Sequence, residues 1–237
     1  MVGISEARQI AIEWLKPLWT KCNDWVLNID TEPPREQLGK TPRSWWRGDV
    51  ANGTKHGDNN RYASIDYWNI RKVIRLLAPG RTDVFYDIGS GKGRIVCVAA
   101  RSPFKQCIGV EVSEALCDDA RRNARRLNGR RAPIEIICAD AATADLSTGT
   151  VYFMFNPFGA DTLRDTVENI KRTLETEPRA IRILYYNCVC ESVLANAGWL
   201  TKTLEYDTYG GLRVSLWKNS RSAASRSTCR SMSGRVL

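Results

Sequence analysis

Three acids and a glycine loop stand at spacings that could hold a nucleoside. The loop is Gly89-Ser90-Gly91-Lys92-Gly93, and Asp87 lies two residues upstream of it. Glycines let the chain turn sharply and bring its backbone close to a ligand. Glu111 follows about 20 residues on, the separation at which an acid can accept from both ribose hydroxyls. A third acid, Asp140, sits in Cys138-Ala139-Asp140-Ala141, where it could accept from the exocyclic amine of an adenine. Asp87 and the loop backbone are then left to face the other half of the ligand.

The spacing narrows the ligand. A dinucleotide fingerprint requires G-x-G-x-x-G, and counting from Gly89 and Gly91 the third glycine falls on Arg94, whereas the glycine is at 93. A Walker loop ends Gly-Lys-Ser/Thr, but Gly91-Lys92 is followed by Gly93, so no magnesium-binding hydroxyl is supplied. No metal site is expected: the chain has one histidine, His56, and its closest cysteines, Cys188 and Cys190, form Cys-x-Cys rather than Cys-x-x-Cys.

These residues need elements to position them. Val84 to Ile88 reads as a buried strand that feeds the loop, and a helix follows from Gly93. Cys107 to Glu111, Ile134 to Cys138, Val151 to Phe155 and Ile181 to Tyr186 read as further strands. Between them, helices are expected from Ser113 to about Asn128, from Asp161 with Leu163, Val167, Ile170 and Leu174 on one face, and around Glu191. Two late strands, Lys202 to Tyr206 and Arg213 to Trp217, flank Gly210-Gly211, which suits a hairpin. Upstream, helices are expected from Ser5 to Pro17 and over Ile65 to Ala78. The alternation implies an α/β fold: a mostly parallel, doubly wound, seven-stranded sheet with a C-terminal antiparallel hairpin and helices on both faces.

Residues 84 to 217 resemble the class I S-adenosylmethionine-dependent methyltransferases. The likeness runs through Asp87-x-Gly-x-Gly-x-Gly, Gly109-Val110-Glu111, Ala139-Asp140-Ala141 and Asn156-Pro157-Phe158, each at the end of an expected strand. It implies S-adenosyl-L-methionine as cofactor. Asp87, Gly89, Ser90, Gly91 and Gly93 would serve the methionine end, Glu111 and its neighbour Val112 the ribose, and Asp140 and Ala141 the adenine. Asn156-Pro157-Phe158 resembles the Asn-Pro-Pro-Tyr/Phe motif of enzymes that methylate planar amides and nucleobase amines. In those enzymes the asparagine side chain and a proline carbonyl accept from the target nitrogen, and the aromatic ring stacks on it. Here the second proline is missing. Some similarity to the non-SET histone lysine methyltransferases lies in the glycine loop and in an upstream tyrosine-bearing segment, which makes Tyr62 a candidate lid over the cofactor.

The resemblance implies methyl transfer to a nitrogen of a protein side chain or small molecule. The alternatives are O-methylation of a small molecule, or a non-catalytic cofactor-binding interaction domain. No general base stands out. Ser113 reads as a helix cap rather than a ligand. His56 reads as an exposed loop residue among Asn and Gly. Arginines 121, 122, 125, 126, 130 and 131 read as a solvated helix face, which places nucleic acid behind protein or small molecule as a partner.

Composition sets the outer bounds. The 237 residues fit one large domain with additions, read as a Trp-rich extension over 1–55, a domain over 56–219 and a basic Ser/Arg-rich tail over 220–237 that is expected to be disordered. The tail matters for charge, because Lys218 to Leu237 holds five cations and no acid out of a net +9. No apolar run is long enough to span a bilayer, so a cytoplasmic protein without membrane contact is expected. The eight cysteines read as reduced thiols, with Cys97, Cys107 and Cys138 acting as small buried hydrophobes. Oligomeric state is not legible in the sequence.

Overall fold

The computed structural model describes residues 18–32, 56–60, 63–208 and 211–219. The helix expected over Ser5 to Pro17, the tryptophans at 45 and 46, Tyr62, Gly210 and the tail over 220–237 lie outside the described residues.

Seven strands form one sheet: β1 (Val84–Ile88), β2 (Gln106–Glu111), β3 (Ile134–Cys138), β4 (Val151–Phe155), β5 (Arg182–Tyr186), β6 (Leu200–Asp207) and β7 (Arg213–Asn219). Their order is β3-β2-β1-β4-β5-β7-β6. The first five pair in parallel, and β7 and β6 close the far edge antiparallel. The helices are α1 (residues 18–27), α2 (Tyr67–Leu76), α3 (Arg94–Ala99), α4 (Glu114–Arg126), α5 (Ala160–Thr176) and α6 (Glu191–Ala195). The expected α/β architecture is the observed one, down to the closing hairpin.

Two apolar layers sandwich the sheet, and alternate residues of each central strand serve one or the other. Phe85, Val151 and Phe153 join Ile70, Val73, Ile74 and Val96 on the face covered by α2 and α3. Val84, Tyr86, Ile88, Tyr152 and Met154 join Leu163, Val167 and Ile170 on the face covered by α5. Burial on both faces is why β1 and β4 read as continuous apolar runs.

Chain order reverses between β1 and β4. From β1 the chain winds outward through β2 and β3, then returns to lay β4 against the other side of β1. A crevice opens outside the carboxyl ends of strands at such a switch point. The register Asp87↔Phe153 and Ile88↔Met154 therefore carries Gly89 and Asn156 out of the sheet side by side.

Two local expectations need correction. Cys138 is exposed, because β3 is an edge strand and that residue ends it. Ser113 holds the N-cap position of α4 but its hydroxyl makes no capping bond. Instead its backbone N–H donates to Glu111, 3.0 Å away.

Candidate active site

The glycine loop is built by three left-handed turns. Gly89, Gly91 and Gly93 have φ of 77°, 52° and 80°, which an L side chain rarely adopts. The N–H groups of Gly89 and Ser90 both donate to the Val110 carbonyl, at 2.8 and 3.0 Å, and tie the loop to β2. Packing also demands glycine here. A Cβ on Gly89 would overlap Pro157 Cβ, and one on Gly93 would come within 3.2 Å of Ala120 Cβ. The loop is thus pressed between α4 and the Asn156-Pro157-Phe158 turn.

Each expected acid lies at or just past the carboxyl end of its strand, β1 for Asp87, β2 for Glu111 and β3 for Asp140. Asp87 is 1% exposed, and its Oδ2 has no hydrogen-bond partner among the described residues. Burial pushes its pKa up to about 8, against a hydrogen bond from the Val96 N–H at the start of α3, and the nearby charge of Glu111 adds to the rise. Glu111 is buried as well. Its carboxylate accepts from the N–H groups of Gly91 at 2.9 Å, Val112 at 3.0 Å and Ser113 at 3.0 Å. Burial raises its pKa, and these three bonds oppose the rise. Asp140 is half-buried and accepts from the Ala142 N–H at 2.9 Å. Asn169 of α5 fixes that turn by donating to the carbonyls of Ala141 at 3.1 Å and Ala144 at 2.9 Å.

Ser90 also points inward. Its Oγ is buried without a partner among the described residues, and it lies where a side chain on Gly109 would need to go, 2.8 Å from that position. Gly109 is therefore part of the loop's footing. Two orphaned polar atoms, Asp87 Oδ2 and Ser90 Oγ, beside a cradle of glycine backbone indicate that a polar ligand completes the site.

The Asn156-Pro157-Phe158 turn is ordered from several sides. Asn156 is 4% exposed and left-handed, with φ of 40°. Its Oδ1 accepts from the buried Tyr185 hydroxyl at 3.0 Å. The Asn156 carbonyl accepts from Asn60 Nδ2 at 2.7 Å, and the Pro157 carbonyl from the Asn60 backbone N–H at 2.8 Å. Phe158 is 4% exposed and packs among Leu163, Val167 and Met154. Its ring fills the core, so in this arrangement it is not free to stack on an acceptor as the motif resemblance implied. His56 is a loop residue as expected, but its Nε2 lies 2.9 Å from Asp165 Oδ2.

One buried group was not picked out as functional from the sequence. Arg94, the residue in place of the dinucleotide glycine, is 4% exposed at the start of α3. Its Nε donates to Thr31 Oγ1 at 2.6 Å and its Nη1 to the Ile65 carbonyl at 3.2 Å, and Nη2 lies 3.8 Å from Asp24 Oδ2. Tyr67 donates to Asp24, and its ring lies 5.1 Å beneath the Arg94 guanidinium. Asn123 of α4 completes the clamp by donating to the carbonyls of Asp30 at 2.8 Å and Lys92 at 2.9 Å. Residues 24–31 are thereby stitched to the back of the glycine loop. An arginine opening an otherwise apolar helix was the available signal.

Comparison with known proteins meets this geometry at the same strands. Residues 85–177 match the family model of a methyltransferase domain. Over these residues the chain is similar to a methyltransferase domain. The cofactor of such a domain is S-adenosylmethionine, and the donor set fits it: carboxylates for the hydroxyls, amines and cationic end, and glycine backbone for close approach. A protein-lysine N-methyltransferase of Saccharolobus islandicus is 29% identical over 109 residues, 46% of this chain and 63% of that protein. The 23S rRNA (uracil(1939)-C(5))-methyltransferase of Paraburkholderia xenovorans is 27% identical over 154 residues, 62% of this chain and 32% of that protein. The chain spans less than two thirds of the length of either curated relative. Among solved structures, an RNA methyltransferase from Salinibacter ruber in complex with S-adenosyl-L-homocysteine superposes with a TM-score of 0.52 at 22% identity, covering 66% of this chain and 94% of that one. A methyltransferase from Aquifex aeolicus gives 0.52 at 12% identity, over 64% and 90%. At these identities the two structures establish the fold alone. Among the described residues no cluster of His, Cys, Asp or Glu could hold a metal, and no helix is long and apolar enough to cross a membrane.

Proposed function

We propose that this chain is an S-adenosylmethionine-dependent methyltransferase that transfers the methyl group to a nitrogen of a protein side chain or small molecule. The observation that carries the reading is the contact between Gly89 and Pro157, which sets Asn156-Pro157-Phe158 directly against the cofactor loop. The protein-lysine relative supports an amine on a protein.

S-adenosylmethionine, when bound, supplies an electrophilic methyl on a sulfonium. The chain's own contribution is alignment. Asp87 and Ser90 bring unsatisfied polar atoms to the methionine end, with Gly89, Gly91 and Gly93 giving close approach. Glu111 and Val112 serve the ribose, and Asp140 and Ala141 the adenine. Asn156 and Pro157 stand over the acceptor side, and Tyr62 remains the lid candidate. The free thiols of the described cysteines fit a reducing cytoplasm.

A specific observation favours a second reading. Asn156 Oδ1 and the Pro157 carbonyl are already satisfied internally, as they would be in a cofactor-binding interaction domain with no acceptor. Incubation of the purified chain with methyl-labelled cofactor and fractionated lysate separates the two. Label in the protein or metabolite fraction supports the enzyme, label in nucleic acid overturns the acceptor class, and binding without turnover supports the interaction domain.

A further inference from the structure

The segment 56–60 lies along the acceptor loop and grips it at both ends. At one end Asn60 holds two successive carbonyls, Asn156 through its side chain at 2.7 Å and Pro157 through its backbone N–H at 2.8 Å. Between them Asn59 forms a bridge with Phe158. At the other end the Asp58 carbonyl accepts from the Gly159 N–H at 2.8 Å. The Asp58 carboxylate accepts from the Thr162 N–H at 3.3 Å and from the Thr162 hydroxyl. Gly159 caps α5 and has no side chain to offer, so Asp58 supplies the N-terminal acceptor from a distant part of the chain. A side chain on Gly159 would sit 2.6 Å from Asp58 Oδ2, so the glycine makes room for this cap.

This grip falls on a strained turn. A non-glycine residue in the left-handed region persists only where its surroundings over-determine it, and such residues cluster at functional sites. Asn156, with φ of 40°, is held on its carbonyl by Asn60 and on its side chain by Tyr185. On its other side the turn packs against Gly89, where a side chain would overlap Pro157 Cβ.

We propose that Asn60 is a positioning residue for methyl transfer: through its side chain and its backbone N–H it fixes the Asn156-Pro157 turn against Gly89. Asp58 secures the far end of the same turn at α5. The inference rests on Asn156-Pro157-Phe158 being the acceptor side of the site.

Four variants of the full chain test it: Asn60→Ala removes the side-chain donor, Asn60→Pro removes the side-chain and backbone donors together, Asn60→Gln keeps an amide, and Asp58→Asn keeps an acceptor without the charge. Amide hydrogen exchange at Phe158, Gly159 and Thr162 is read first, because it needs neither cofactor nor acceptor. A hydrogen bond lost in a buried turn corresponds to roughly fivefold faster exchange, so Asn60→Ala should quicken these amides by about that factor, and Asn60→Gln should restore part of it. S-adenosylhomocysteine affinity, read by calorimetry, should stay within about twofold of wild type in Asn60→Ala. With the labelled fraction as acceptor, the turnover number should fall roughly tenfold in Asn60→Ala while KM for the cofactor holds. Unchanged exchange would overturn the grip, and affinity falling in step with exchange would make the segment a cofactor lid instead. Should S-adenosylhomocysteine fail to bind wild type, the methyltransferase reading fails, yet exchange still decides whether the segment holds the turn. If Asn60→Pro does not fold, Asp58→Asn supplies the second perturbation.

Discussion

Replacing Asp87 with Asn removes a carboxylate that folding has buried to 1% exposure with one oxygen unpartnered. Its pKa rises from 3.8 to about 8, so the folded chain holds this proton more tightly than the unfolded chain does. The sign follows by linkage. The stabilising contribution of the bound proton is complete below pH 3.8 and is lost as pH rises through about 8. Between those limits one proton is worth about 1.4 kcal/mol per pH unit. From pH 5 to pH 7 the cofactor-free wild type should therefore lose about 3 kcal/mol that Asp87→Asn keeps, an upper bound if water enters the crevice. Urea denaturation at pH 5, 6 and 7, with the slope m checked for constancy, measures the difference. Glu111 shifts in the same direction, so the informative quantity is wild type minus variant, not the wild-type slope alone.

The same variant should bind cofactor worse even as it becomes relatively more stable. The cofactor brings cationic groups to the methionine end, which favours ionised Asp87 and so releases its proton on binding. In calorimetry near pH 7 the wild-type heat should depend on the ionisation enthalpy of the buffer, and Asp87→Asn should show a smaller dependence with affinity reduced roughly 10- to 100-fold, as expected for a charge-assisted hydrogen bond. Stability curves that run parallel from pH 5 to pH 7, with equal affinity, would refute the assignment of a buried, ligand-facing carboxylate.

Gly89→Ala places a Cβ on Pro157 Cβ at a φ of 77°, so cofactor affinity should fall at least tenfold while circular dichroism remains that of the wild type. Glu111→Gln turns one acceptor oxygen into a donor facing the N–H groups of Gly91, Val112 and Ser113, which should cost about 2 kcal/mol of stability, seen as a lower urea midpoint, along with weaker cofactor binding. Arg94→Met leaves Asp24 buried without its cation, and thermal or urea unfolding should show a loss of about 3–5 kcal/mol. Partial recovery in Arg94→Met combined with Asp24→Asn would tie that loss to the charge rather than to packing.

What the sequence made legible was whatever depends on neighbours along the chain. Val84–Ile88 and Val151–Phe155 are buried on both faces, so their side chains read as continuous apolar runs without knowledge of the partner strand. The glycine at 93 rather than 94 is a local requirement too, because the left-handed turn and the approach of Ala120 act on that one residue. Edge position is not local. Cys138 sits in the same kind of apolar run as Cys107, yet β3 has only one neighbour and leaves it exposed. Ser113 takes the expected N-cap position of α4, but its hydroxyl makes no capping bond.

The parts that remained hidden share one property, which is that their partners are far away in sequence. Arg94 bonds Thr31, 63 residues distant, and Asn60 bonds the Asn156 carbonyl, 96 residues distant. No window of periodicity or turn chemistry connects such pairs. Both lie on the two sides of one structure, the glycine loop: Arg94 begins the helix that the loop opens, and Asn60 fixes the turn that Gly89 touches. A cofactor loop made of glycines has little rigidity of its own. Segments from outside the strand–helix repeat pack around it, residues 24–31 through Arg94 and Asn123, and 58–60 by way of the turn at Pro157. The repeat thus accounts for where the cofactor sits. If Asn156-Pro157-Phe158 is the acceptor side, Asn60 and Asp58 position it, and they are the residues to vary in search of the acceptor before the glycines.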